Sequence, residues 1–202
     1  MRRLLSALVL VAAVVAGAAF TFAPRPDPAP AFTLTDTQGR QHRLADYRGR
    51  TVVLEWLNYD CPFVRKHYGA NNMQALQTRY GARGVVWLSV VSSAPGEQGH
   101  FSNEEMNRRT RAAGGSQTAV LMDPTGTVGR AYGARTTPQM VVINPRGEIV
   151  YNGAIDDRPS PDPRTLQGAT SYVSQALDET LAGRAVSRPR TQPYGCSVKY
   201  GD

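Results

Sequence analysis

The chain has 202 residues but little cysteine and little histidine: Cys61 and Cys196 are the two thiols, and His42, His67 and His100 the three imidazoles. Two thiols cannot build the dense disulfide framework of a small secreted scaffold. Soft-metal centres ordinarily use more than one thiolate, so Cys61 with His67 on the following helix is read as no metal site, and His67 as an exposed helix residue. Repeats of solenoid period and long low-complexity runs are absent, and so is any stripe of interleaved aromatic and basic residues. That excludes a nucleic-acid groove, although the formal charge is +7. The basic residues are scattered and read as a solvated surface. Apolar content of 41% with 19% charged residues fits a folded globular domain.

The N-terminal segment is different in kind. Arg2 and Arg3 precede an uncharged stretch, Leu4 to Phe22, rich in Leu, Val and Ala. This is the pattern of a signal peptide, with Ala16-Gly17-Ala18 as a cleavage site; the alternative is an uncleaved membrane anchor. Both place the remainder outside the cytoplasm, in the periplasm or an equivalent compartment. The expected division is therefore 1–23 leader or anchor, 24–30 Pro-rich linker, 31–183 folded domain, and 184–202 a C-terminal tail carrying Cys196.

Within the domain, Ala31 to Leu34 and Gln41 to Leu44 read as a hairpin around Asp36-Thr37-Gln38-Gly39. Thr51–Leu57 and Gly84–Val91 are near-continuous apolar runs, the signature of strands buried on both faces. A helix is expected from Pro62, with a kink or restart near Gly69, Asn71 and Asn72. Ser102 to Glu105 reads as a capping box opening a second helix. Further elements are a strand at Ala119–Met122, a short helix at Thr127–Tyr132, a hairpin at Gln139–Asn152 and a last helix at Leu166–Leu181. The order β-β-β-α-β-α-β-α-β-β-α predicts an α/β fold: a central mixed sheet, helices on both faces, and an N-terminal β-hairpin.

Cys61 follows a buried strand and opens a helix. The unpaired amides of a helix N-terminus favour an anion, and thiols at such positions ionise below the ordinary value of about 8.5. Arg65 and Lys66, one turn on, are expected to stabilise the thiolate further, and Asp60 to oppose them.

Leu54–Val64 (LEWLNYDCPFV), Tyr132–Pro138 (YGARTTP), Leu44–Gly49 and Ile143–Ile149 together resemble the thioredoxin superfamily, in its redoxin branch. That branch holds the peroxiredoxin-like alkyl hydroperoxide reductase/thiol-specific antioxidant proteins. The resemblance implies a thioredoxin-like fold, a nucleophile at Cys61, a cis bond at Pro138, and a surface at Thr137 and Pro138 on which an extended substrate pairs. It implies no bound cofactor, since the electrons reside in sulfur. Val64 stands where a second active-site Cys would complete C-x-x-C. Asn58 and Leu54 replace the Thr or Ser and the Pro that peroxiredoxins carry three and seven residues before their reactive Cys. Cys196, in a Gly-Cys-Ser tail similar to that of a peroxiredoxin-like branch, is the remaining partner: a resolving thiol, or one half of a permanent staple. The expected function is an exported thiol-disulfide oxidoreductase acting on protein or small-molecule thiols or disulfides with an unnamed reductant. The alternatives are a slow thiol peroxidase and a non-catalytic binding or metal-carrier module.

Overall fold

The computed structural model describes residues 26–201. The expected leader and the first linker residues lie outside them. Among the described residues no helix is long and apolar enough to cross a membrane.

Seven strands form one sheet. In chain order they are β1 (Thr33–Asp36), β2 (Gln41–Arg43), β3 (Val52–Trp56), β4 (Val86–Val91), β5 (Ala119–Met122), β7 (Met140–Ile143) and β8 (Ile149–Gly153). They lie in the order β2-β1-β5-β4-β3-β7-β8. The pairs β3–β4 and β4–β5 are parallel and the others antiparallel, so the sheet is mixed. The helices are α1 (Pro62–Gly69), α2 (Asn72–Gly81), α3 (Asn103–Ala112), α4 (Thr127–Ala131) and α5 (Tyr172–Leu181). A separate two-stranded ribbon joins β6 (Thr136–Thr137) to β9 (Cys196–Ser197).

The period-2 alternation of β3 divides the core between the two faces. Val53 and Leu57 pack with Val64, Met73, Tyr80, Met106, Val173 and Leu177, drawn from α1, α2, α3 and α5. Val52, Leu54 and Trp56 pack on the other face with Phe32, Leu88, Val128, Tyr132 and Val141. Helices cover both faces unevenly: α4 is the one α-helix contributing to the second cluster. Asp123 holds that helix, accepting at 2.8 Å from the Gly129 amide and at 2.7 Å from Ser92, and so fixes the loop that leads to β6.

Several local expectations hold. The first helix breaks after Gly69, where Asn71 takes a left-handed φ of 57°, and restarts as α2. Ser102 accepts from the Glu105 amide at 3.2 Å, one half of the expected capping box, while the Glu105 carboxylate turns to Arg108 and Arg109 in place of the Ser102 amide. Others move. Strand β1 runs Thr33–Asp36, displaced from the expected Ala31–Leu34. The last helix starts at Tyr172 and not at Leu166, because Gly168 turns the chain with a φ of 71° and Ser171 caps the helix through the Ser174 amide. The stretch expected as a linker is laid against the β8 hairpin over its later residues. Ala29 donates to Gly147 at 2.9 Å, Ile149 donates to Asp27 at 2.8 Å, and Pro28 bridges Glu148. Unpaired backbone groups at the start of that hairpin are satisfied in this way.

Glu55 in β3 is completely buried, a position that had no reading from sequence. Tyr68 donates to Oε1 at 3.0 Å, and Trp87, Ser89 and Gln77 donate to Oε2 at 2.8, 3.0 and 3.2 Å. Burial pushes its carboxyl above the ordinary 4.5, and the four donors only partly offset that. The sign follows from linkage. A group whose folded pKa is raised contributes its stability below its unfolded pKa and loses it as pH rises above. The Glu55→Gln variant does not ionise, so wild type should lose stability relative to it between about pH 4 and pH 8. Urea midpoints of the two proteins at both pH values measure this.

Candidate active site

Cys61 is the N-cap residue of α1, with Pro62 at the first helical position. It is 0% exposed. Strand β3 delivers it to the end of the sheet, and the Asn58–Cys61 turn closes through a 3.0 Å bond from the Cys61 amide to the Asn58 carbonyl. As a thiol, its Sγ donates to the Thr137 carbonyl at 3.1 Å. The Thr137–Pro138 bond is cis, which turns that carbonyl toward the sulfur. The buried Thr137 hydroxyl finds no oxygen or nitrogen partner.

The second sulfur arrives from the far end of the chain. In the β6–β9 ribbon Thr137 pairs with Cys196 and Thr136 with Ser197. Both cysteines are free thiols, Cys61 buried and Cys196 partly exposed. The backbone of Thr137 thus joins them, pairing with Cys196 and accepting from Cys61 Sγ. Burial pushes Cys61 up, but the polar groups around it, the Cys196 thiol foremost and the amides of Val64 and Cys196 with it, outweigh that and hold Cys61 below its ordinary value. Cys196 goes the other way, pushed up to about 12 by burial and by the sulfur it faces. The pair is therefore asymmetric, with Cys61 the stronger acid of the two thiols and Cys196 the weaker. The Val64 amide contribution is the helix-terminus effect expected from sequence.

Arg65 and Lys66 are engaged by other partners. Arg65 donates to the Tyr59 carbonyl at 3.2 Å and lies 3.5 Å from the Asp60 carboxylate, which Arg109 also binds at 2.8 Å. Lys66 is buried; its Nζ donates to the Arg158 carbonyl at 2.8 Å and sits 3.8 Å from Asp156. One turn of helix separates both side chains from the cap residue, and their nearer partners capture them. Asp60 is likewise occupied and is not the cap. Asn58, at the position where peroxiredoxins place a hydroxyl, accepts from the Asp60 amide at 2.9 Å and donates to the Gln98 carbonyl at 3.3 Å. It shapes the turn and offers nothing to an oxidant at Cys61.

His67, read from sequence as an exposed helix residue, is 0% exposed. Its Nδ1 pairs with Asn72 at 2.8 Å and its Nε2 faces the Tyr194 hydroxyl at 3.4 Å. Burial and then Lys66 push it down to about 3, so it is neutral. Tyr194 explains why. It is the anchor of the tail, hydrogen-bonded to Asp156 and packed against Phe63 with ring centroids 5.8 Å apart. The tail that carries Cys196 thus drops an aromatic side chain between α1 and the 155–158 loop. Gly195 follows with a φ of 139°, and a Cβ there would overlap the Thr137 carbonyl. Beyond the ribbon, Val198 donates to Arg135 at 3.0 Å and Tyr200 donates to Ala134 at 2.7 Å. Nothing in the local pattern of 184–202 signals this docking, since a two-residue strand has no period.

Two outcomes follow. Cys61 should titrate below the ordinary thiol range by thiolate absorbance, and Cys196→Ala should move its midpoint up, because the anion loses a donor; a wild-type midpoint at or above about 8.5 would mark an inert thiol. Gly195→Ala should loosen the ribbon. Overpacking of this kind costs about 1–3 kcal/mol, so alkylation of Cys61 should accelerate about tenfold or more.

Comparison with known proteins gives the fold and the family. A solved structure of an uncharacterized conserved protein from Geobacillus kaustophilus superposes with a TM-score of 0.74 at 26% identity, covering 90% of this chain and 94% of that one. The thiol-disulfide oxidoreductase ResA of Geobacillus kaustophilus is 31% identical over 122 residues, 60% of this chain and 64% of the relative. The chain thus spans just under two thirds of that relative's length. A Mycobacterium tuberculosis protein provisionally named a peroxiredoxin is 30% identical over 131 residues, 65% of this chain and 77% of the relative. The AhpC/TSA family profile matches residues 26–152, most of the described domain including Cys61 and Pro138, and the chain belongs to the AhpC/TSA family of the thioredoxin fold.

Proposed function

We propose that this protein is an extracytoplasmic thiol-disulfide oxidoreductase whose redox couple is Cys61 and Cys196. One observation carries the reading: the β6–β9 ribbon sets Cys196 against Cys61 with the two thiols polarised in opposite directions. The location rests on the leader pattern of residues 1–23.

The exchange balances as follows. The Cys61 thiolate attacks one sulfur of an external disulfide. That S–S bond breaks, one external thiolate leaves, and a mixed disulfide forms on Cys61. Cys196, giving up its proton, then attacks Cys61 Sγ and expels the second external thiolate. The two protein thiols are oxidised to one disulfide, the external disulfide is reduced to two thiols, and the protons pass to the departing sulfurs.

Cys61 has no exposure while the tail is docked, so the first step requires the tail to lift from Thr136 and Thr137. The backbone edge at Thr137, where a substrate segment would pair, is then free for that segment. Substrate and tail use the same edge in turn, by the same strand addition.

The test is a redox titration of the purified chain, with free thiols counted by mass spectrometry. The expected result is one reversible intramolecular disulfide with a potential above about −300 mV. A lower potential would make the pair a structural staple, and two thiols that stay free under mild oxidation would remove the couple altogether.

A further inference from the structure

Between the 130–135 segment and the returning tail, and lined by neither cysteine, lies a groove of about 590 Å³. One wall belongs to the body of the domain, in the segment joining α4 to β7. The other is the returning tail. We propose that this groove binds a small multivalent oxyanion, a phosphate ester or a di- or tricarboxylate.

Charge and shape both point there. Arg130, Arg135 and Arg190 line the groove, and no acidic residue does so among the described residues. The Arg135 guanidinium has no partner among the described residues, although its backbone is held on both sides. Arg130 stacks over the Tyr200 ring at 4.4 Å and spends one N–H on the Gly201 carbonyl at 2.7 Å, leaving other donors free. Arg190 meets Asp27 at 2.9 Å, in a pair where both side chains are mostly exposed. Three guanidinium groups around one hollow repel one another, and an anion between them relieves that. Their planar forks match carboxylate and phosphate oxygens two at a time.

The floor suits a polar ligand. Gln139, 2% exposed, donates to Asn152 at 2.9 Å and to the Gly133 carbonyl at 3.2 Å, while its own oxygen accepts from the Arg135 amide at 2.9 Å. Those bonds hold the floor rigid and set Arg135 at the rim. The volume lies within the range of about 300–1,000 Å³ typical of small-molecule sites.

The two walls give the site a consequence. A ligand that touches Arg130 and Arg135 on the body and Arg190 on the tail binds only while the tail is docked. By linkage it stabilises the docked state. The groove contains neither sulfur, so the inference stands apart from the redox reading.

The experiment is isothermal titration of the full chain with sodium pyrophosphate and, separately, with citrate, using chloride at matched ionic strength as control. Saturable binding of one anion per chain is expected, and the arm that binds more tightly identifies the chemistry. Arg135→Ala should weaken binding about tenfold or more, and Arg130→Gln similarly, while Arg79→Gln on α2 should bind as wild type does. Hydrogen exchange of 189–198 should slow when the anion is bound. The double variant Cys61→Ser with Cys196→Ser should bind equally well, which separates this result from any failure of the redox couple. Binding no better than chloride, or unaffected by Arg135→Ala and Arg130→Gln, would overturn the site. Unchanged exchange in the tail on saturation would overturn its link to docking.

Discussion

The antiparallel pairing of Cys196–Ser197 with Thr136–Thr137 is short, and it does not stand alone. Tyr194 anchors it on one side, between α1 and Asp156. On the other, Val198, Lys199 and Tyr200 bond to Arg135, Ala94 and Ala134. Upstream, Thr191 packs against Gly153, where any Cβ would overlap it, and accepts from the Ala154 amide at 2.9 Å. A two-residue ribbon could not by itself repay the entropy of ordering the tail. The anchors do that jointly, and the ribbon converts the docking into a juxtaposition of two sulfurs.

That juxtaposition changes what kind of site Cys61 occupies. A thiol at a helix N-terminus with its second active-site Cys replaced by Val64 would otherwise be a lone nucleophile. With the tail in place the sulfur is desolvated, which by itself favours the neutral thiol. The donors win because there are several of them and each is aimed at an anion, where hydrogen bonds are worth about twice their neutral value. The same contact makes Cys196 a poor acid. Two chemically identical groups thus differ in acidity, and the groups around them decide which is the stronger acid.

The covering tail also sets a limit. A nucleophile with no exposure is protected from adventitious oxidants and equally from its substrate. Under the proposed function, the tail uses the backbone edge at Thr137 on which an extended substrate pairs, so docking of one excludes the other. Strand addition serves here as an intramolecular closure, and the polar cluster of Lys66, His67, Asp156 and Tyr194 holds it shut from beneath.

The residues by themselves determined much of the scaffold. Apolar runs at 51–57 and 84–91 are central strands because only a sheet covered on both faces buries such runs. Gly69 with Asn71, and Ser102 with Glu105, marked a helix break and a helix start through local backbone chemistry that needs no distant partner. Cys61 at the strand-to-helix junction was legible for the same reason. What depended on distant partners was not. Arg65 and Lys66 looked like thiolate partners by spacing, but the Tyr59 carbonyl and Asp60 hold the first, and the Arg158 carbonyl and Asp156 the second. His67 looked exposed because the residue that buries it, Tyr194, stands far along the chain. The meeting of Cys61 with Cys196 belongs to this second kind. Periodicity and capping report on neighbours within a few residues, whereas the partner of each sulfur is chosen by where a long aperiodic tail finds anchors, and those anchors exist only once the domain has folded.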